Sequence, residues 1–165
     1  MSTATSSRPV ALVTGGSRGI GSAAVQALAR QGWDLCFSYA SNAEAAQATA
    51  EAARQHGARV LAQQADVADR EALRRLFGEA WQSFGRLDAL VNNAGVVGQP
   101  RSILEANDAE LTALFRTNVL SLFFCAQEAA QRMSTQRGGR GGSIVNISSA
   151  AARHGGMPNE AHYAA

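Results

Sequence analysis

Apolar residues recur in this chain with two alternating periods, one suited to buried strands and one to helices lying against a sheet. Short β-rich runs cover Val10 to Thr14, Asp34 to Tyr39, Arg59 to Gln64, Leu87 to Asn92 and Ser143 to Ser148. Between them, the stretches Ile20 to Gln31, Ala43 to His56, Asp69 to Phe84 and Asp108 to about Arg137 repeat their apolar residues at three- and four-residue steps. In the third, Leu73, Leu76, Phe77, Ala80, Trp81 and Phe84 form one stripe, and that face must cover a sheet. The fourth starts at a cap, Asn107 with Glu110 three residues on. It carries Leu111, Leu114, Phe115, Val119, Leu122 and Phe123 on one stripe, with Leu120 and Phe124 outside it. That is more apolar surface than one sheet contact needs, and either a subunit interface or deep burial would use the excess. Strict strand and helix alternation implies right-handed crossovers and a parallel, doubly wound α/β sheet of Rossmann type, with helices on both faces in an αβα sandwich.

Composition narrows the reading. At 165 residues, 46% hydrophobic and 17% charged, the chain suits one globular domain with a sizeable core. All of its basic residues are arginines, and the formal net charge of +2 is too mild to call for nucleic acid or an anionic membrane. The Arg137–Gly142 run of arginine and glycine reads as a flexible connection. Cys36 and Cys125 lie in apolar surroundings without metal-ligand spacing, so buried free thiols are expected and no metal site. The opening Ser/Thr-rich segment lacks the apolar centre of a signal peptide, and no later run approaches bilayer length; a cytoplasmic setting is expected. Trp33 and Trp81 read as core residues, His56 as the end of a helix, and His154 and His162 as parts of a solvated loop.

The strongest chemical signal follows the first strand. Thr14-Gly15-Gly16-Ser17-Arg18-Gly19-Ile20-Gly21 reads as a strand end, a glycine turn and the first turn of a helix. Glycines at 15, 19 and 21 allow positive φ and remove the Cβ that would block a ligand, so the helix N-terminus can present free N–H groups to a pyrophosphate. Further polar groups fall at successive strand ends: Asp66-Val67, Asn92-Asn93-Ala94-Gly95 and Ser148-Ser149. In a parallel sheet these ends share one rim, where ligands bind. Each has a bland alternative, as a helix cap or a turn residue.

Thr14-Gly-x-x-x-Gly19-x-Gly21, Asn92-Asn93-Ala94-Gly95, Asn118, Ser149 and Tyr163, in this order and spacing, resemble the short-chain dehydrogenase/reductase family, in particular its 3-oxoacyl-acyl-carrier-protein reductase-like and glucose dehydrogenase-like members. The resemblance runs from Val10 to the last residue. It implies a dinucleotide-binding domain over residues 10–165, preceded by a disordered tail over residues 1–9. Thr14, Gly15, Ser17, Arg18, Gly19, Ile20 and Gly21 would shape the pyrophosphate site, and Asp66 and Val67 would hold the adenine. Asn92, Ala94 and Gly95 would pack beside the adenine-side ribose and support the sheet. Ser149 would orient the substrate oxygen, Tyr163 would move the proton, and Asn118 would keep the active-site helix and its water relay in place. The reaction would pass a hydride between a nicotinamide coenzyme and a small alcohol or ketone, in a dimer or tetramer.

NADP is favoured over NAD, because Tyr39 stands where NAD users carry an acidic residue and Arg18 can pair with a 2′-phosphate. The Ser149 to Tyr163 interval is one residue longer than the family's commonest spacing, and the family's lysine, which follows the tyrosine after three intervening residues, has no counterpart before Ala165. The expectation is therefore a piece of a longer enzyme lacking its last strands, impaired or acting as a non-catalytic nucleotide-binding module in this form.

Overall fold

Strand β1 (Val10–Val13) is buried along its whole length because its alternate side chains serve two cores. Val10 and Leu12 enter one apolar cluster, Ala11 and Val13 the other. The computed structural model describes residues 8–165. Residues 1–7 of the expected tail lie outside the described residues, but Arg8 and Pro9 already belong to the fold. The Arg8 Nε donates to the Gly32 carbonyl at 2.8 Å, and the Pro9 carbonyl accepts from the Asp34 amide.

Helix α1 (Gly19–Arg30) leads to β2 (Asp34–Tyr39), α2 (Ala43–Arg54) to β3 (Val60–Gln64), and α3 (Arg70–Phe84) to β4 (Ala89–Asn92). All pairings are parallel and the strand order is β3-β2-β1-β4-β5, with β5 spanning Ser143–Asn146. Helices α1 and α2 cover one face through Val25, Ala29, Ala46, Ala50 and Ala53. The other face is covered by α3, through Leu73, Leu76 and Phe77, and by the later helix that contributes Cys125, Ala129 and Met133. Each fully buried Leu or Phe contributes roughly 1.5–3 kcal/mol. The sheet is the expected doubly wound αβα layer, and its order reverses at β1 and β4, which opens a crevice at their carboxyl ends.

Local chemistry explains the element ends. Asn42 and Asp69 cap α2 and α3 by accepting from the amides of Ala45 and Glu71. Gly85, at φ +69°, terminates α3. Asn107 caps α4 (Asp108–Phe115) through the Glu110 amide and also donates its own amide to the Glu110 carboxylate.

Four details differ from the sequence expectations. The fourth helix continues from α4 through a π-helical segment, Arg116–Leu120, into α5 (Ser121–Met133), and ends there because Ser134 turns extended. The 26 residues of Asp108–Met133 meet the length and hydropathy of a membrane-crossing helix, yet this helix carries Asp108, Glu110, Arg116, Glu128 and Arg132 and lays Cys125 and Ala129 on the sheet. The Arg137–Gly142 connection is largely exposed but pinned at two glycines, Gly139 against the Arg132 and Met133 backbone and Gly142 against Met133 and Asp88, with Gly141 donating to the Met133 carbonyl. Trp81 is 41% exposed at the edge of the α3 stripe. The thiols of Cys36 and Cys125 are buried and unpaired as expected. Burial, with a smaller contribution from Glu128, pushes the Cys125 thiol up to about 12.

One carboxylate joins the front edges of three strands. Asp88 accepts from the Val10 amide at 2.8 Å and from Arg86 through both Nε and Nη2, while its backbone carbonyl accepts from Ser143. Burial alone would raise the Asp88 carboxyl, but the Arg86 and Val10 hydrogen bonds and the nearby charges of Arg86 and Arg140 hold it below the usual carboxylate range. Asp88→Asn is expected to lower the unfolding free energy by about 2 kcal/mol at neutral pH in denaturant titrations, the scale of hydrogen bonds to a charged group. The folded carboxyl titrates below the unfolded one, near 3.9, so its contribution is complete above that pH and is lost as acid protonates it; the gap between the two proteins closes below roughly pH 4.

Candidate active site

The glycine turn between β1 and α1 is held from both sides. From β2, the Ser38 hydroxyl accepts from the Gly15 amide at 3.2 Å and the Ser38 carbonyl accepts from the Gly16 amide at 2.8 Å. From the end of β4, the Asn93 side-chain amide donates to the carbonyls of Thr14 and Gly15. The Thr14 hydroxyl accepts from the backbone amides of Asn93 and Ala94 in return, each at 3.0 Å. Gly15, at φ +67°, supplies the positive φ expected of it. Gly21 does not adopt positive φ; it is glycine because a Cβ there would run into the Gly15 carbonyl and the Asn93 amide.

The turn leaves the start of α1 without a side-chain cap and without an acidic residue in its first turn. Its leading N–H groups face the rim, a ready site for an anion. A cleft of about 870 Å³ opens there, walled by Gly15, Ser17, Arg18, Gly19 and Ile20, by Tyr39 to Asn42 after β2, and by Asp66 and Val67 after β3. Arg18 stands exposed at its mouth, and Asp66 is its sole acidic wall residue among those described.

A second cleft, of about 540 Å³, contains Asn118, Ser148, Ser149 and Tyr163. The two clefts share Ile20, Asn93, Ala94, Gly95 and Val96, so the glycine turn and the serine and tyrosine lie along one continuous wall. That wall is fixed at Val96. The Asn118 amide accepts from the Val96 N–H at 2.9 Å and donates to the Val96 carbonyl at 2.7 Å. Asn118 reaches it from the π-helical segment, whose extra residue per turn re-aims side chains, a device common at functional sites.

Ser149 precedes α6 (Ala151–His154), and its Oγ accepts from the Ala151 amide at 3.1 Å. One lone pair is thereby engaged while the hydroxyl proton stays free to donate. Tyr163 sits on α7 (Ala161–Ala164), whose first turn is tied to the Glu160 carbonyl through the Tyr163 and Ala164 amides. The expected extra residue before the tyrosine falls in a segment with Gly155, Gly156 and Asn159 all at positive φ.

Several expected residues take other places. Thr14 is 2% exposed and braces the turn from behind rather than lining either cleft. Asn92, also 2% exposed, sits opposite Asn146 in the sheet and donates to its side chain at 2.9 Å, which supports β5. Asp66 lies beyond the end of β3, in a turn where its carboxylate accepts from the Ala68 amide, though it still walls the cleft. Gly21 is buried beneath the turn. Asn93 and Ser38 carry the brace; the sequence marks Asn93 only as part of the Asn-Asn-Ala-Gly run and Ser38 not at all, because adjacent asparagines at a strand end cannot be told apart until the pleat decides which one points back to β1.

The sequence matches the short chain dehydrogenase family over residues 9–165. An uncharacterized oxidoreductase of Escherichia coli, YgfF, is 38% identical over 94% of this chain and 63% of its own length. A 3-oxoacyl-[acyl-carrier-protein] reductase of Staphylococcus aureus is 37% identical over 94% of this chain and 61% of its own. Among solved structures, a short-chain dehydrogenase/reductase of Serratia marcescens superposes with a TM-score of 0.86 at 41% identity, covering 94% of this chain and 61% of that one. A Burkholderia cenocepacia short chain dehydrogenase in complex with NADP superposes at 0.87 with 37% identity, over 94% and 61% of the two chains. The chain thus spans 61–63% of the length of these relatives. With the glycine turn, the Asn-Asn-Ala-Gly strand end and the Ser149 and Tyr163 cleft on one sheet rim, this chain belongs to the short-chain dehydrogenase family.

Proposed function

We propose that this chain forms the coenzyme-binding and catalytic part of an NADP-dependent oxidoreductase acting on a small alcohol or ketone. The observation that carries the proposal is the shared wall, which runs from an uncapped helix N-terminus beside an exposed arginine to a cleft holding a serine and a tyrosine. The residues present fit a dinucleotide. Gly15 lies so close to Ala94 that a Cβ would crowd it, while Gly19 opens onto free space where a ligand backbone can approach. The α1 amides and Ser17 would take the pyrophosphate, and Asp66 and Val67 would flank the adenine.

The α1 amides, Ser17 and this wall would hold a nicotinamide coenzyme, which would supply the hydride. In the reduction direction, Ser149 donates its free hydroxyl proton as a hydrogen bond to the substrate oxygen. Tyr163 would then deliver its phenolic proton to that oxygen. Asn118 holds the Val96 backbone between the two halves of the site. Oxidation reverses each transfer.

The preference for NADP rests on charge: the cleft beyond β2 presents Tyr39, Ser41 and Asn42, which do not repel a 2′-phosphate, and Arg18 is free to pair with it. Buried, unpaired Cys36 and Cys125 suit a reducing cytoplasm. Phe115, Leu120 and Phe123, 43%, 42% and 65% exposed, give α4 and α5 an apolar face that a second copy of the chain would cover in a dimer or tetramer.

Fluorescence titration of the native protein should show tighter uptake of NADPH than of NADH. Arg18→Ala should weaken NADPH by about 2 kcal/mol, roughly thirtyfold, and leave NADH nearly unchanged; equal losses for both would remove the 2′-phosphate assignment. Tyr163→Phe should reduce ketone turnover by about 10²–10⁴-fold, the usual contribution of a positioned acid, with NADPH affinity retained. Uptake of coenzyme by the unaltered protein with no turnover of any ketone or alcohol would leave the non-catalytic nucleotide-binding reading in its place.

A further inference from the structure

Three of the four buried residues of α2 are alanines, Ala46, Ala50 and Ala53, and the fourth is Thr49, 4% exposed. An inward hydroxyl is out of place there. A threonine within a helix is a weaker helix former than alanine, and its hydroxyl ordinarily turns back onto the carbonyls of its own helix. The Thr49 hydroxyl instead leaves α2 and donates to the Ser17 carbonyl in the glycine turn at 3.2 Å. Its oxygen also lies 2.9 Å from the Ser22 hydroxyl of α1, which accepts from the Gln26 side-chain amide at 3.2 Å. Since Thr49 gives its only hydroxyl proton to Ser17, Ser22 must donate to Thr49. The chain of hydrogen bonds then runs in one direction, from Gln26 through Ser22 and Thr49 to Ser17, with both hydroxyls donating and accepting.

The carbonyl at the end of this chain belongs to the peptide that leads into Arg18. Arg18 has extended backbone, at φ −153° and ψ 170°, and its own carbonyl accepts from the Ser22 amide at 3.2 Å. The peptide before Arg18 is thus held by Thr49, and the carbonyl after it by α1. Ser38 holds Gly15 and Gly16 from β2, and Thr49 extends that hold to Ser17 from α2. Thr49 itself is absent from the walls of both clefts. Its helix, however, begins directly after the 39–42 segment, which walls the same cleft as Arg18, and is capped by Asn42 of that segment. About two helical turns on from the cap, Thr49 ties the helix that follows the 39–42 segment to the turn that carries Arg18.

We propose that Thr49 is a positioning residue for coenzyme selection: through the Ser17 carbonyl it holds Arg18 in register with the 39–42 segment, so that the two together receive a 2′-phosphate. The inference rests on the NADP reading above. NADH has no 2′-phosphate and makes no use of that register, whereas a threonine that served stability alone would affect both coenzymes alike. In fluorescence titrations, Thr49→Val, which keeps the shape and removes the hydroxyl, should weaken NADPH roughly fivefold, the worth of one hydrogen bond, and leave NADH nearly unchanged. Thr49→Ser keeps the donor and should restore NADPH affinity. In an Arg18→Ala background, Thr49→Val should have no further effect on NADPH, because residues that act through one another are not additive. Thr49→Ala removes the same hydroxyl and decides the matter if the valine variant does not fold. Unchanged NADPH affinity, equal weakening of both coenzymes, no recovery in Thr49→Ser, or the full loss persisting without Arg18 would each overturn the role of Thr49 and leave the coenzyme reading standing. A native protein that takes up neither coenzyme, or holds NADH as tightly as NADPH, would overturn that reading and this role with it.

Discussion

The side-chain amide of Asn93 is the contact on which the site depends. It bridges two successive carbonyls of the glycine turn, Thr14 and Gly15, from a neighbouring strand end nearly eighty residues away in sequence. A turn containing this much glycine has little intrinsic preference for one shape and loses much conformational entropy on folding. Asn93 and Thr14 on one side and Ser38 on the other supply the missing specification. The geometry also excludes side chains, since the same Asn93 amide occupies the space a Cβ on Gly21 would need. The direction in which α1 points its first N–H groups is thereby fixed by β2 and β4 rather than by the turn itself.

The wall built on this brace has a second anchor at Val96. Asn118 grips both backbone groups of that residue in a two-point contact that only a carboxamide, with a donor and an acceptor on one planar group, can make. Two asparagines thus fix the strip from residue 93 to residue 96, one at each end, and the two clefts lie on either side of it. The chemistry assigned to Ser149 and Tyr163 and the coenzyme assigned to the glycine turn are aligned because they are referenced to the same short piece of backbone.

Much of this was legible from the sequence. The apolar periods located every strand and the four main helices, because a buried parallel strand needs a short continuous apolar run and a covering helix needs a stripe. The Asn107 and Glu110 cap, the buried thiols and the convergence of Ser149, Tyr163 and the glycine turn on one rim were also readable. The π-helical segment was not, since one residue inserted in a helix barely disturbs an apolar stripe that is already wide. Nor were the separate tasks of Asn92 and Asn93, which depend on strand pleat and on the late partner Asn146. Thr14 carries the same lesson: a hydroxyl at the head of a ligand-binding motif turns inward, where the backbone amides of Asn93 and Ala94, just past β4, both donate to it. Arg101 lies in a loop with no periodicity and His162 on the short α7, and only the folded chain brings them together.

The bare start of α1 has a consequence for how long the protein survives. Water satisfies these exposed donors, and a ligand that binds them only in the folded state adds RT ln(1 + [L]/Kd), about 2.7 kcal/mol at a hundredfold excess over the dissociation constant. An increment of that size lowers the population of opened, protease-sensitive molecules about a hundredfold. Were the proposed coenzyme to seat on these groups, the abundance of this chain would follow its supply, and starvation for it would be read first as degradation.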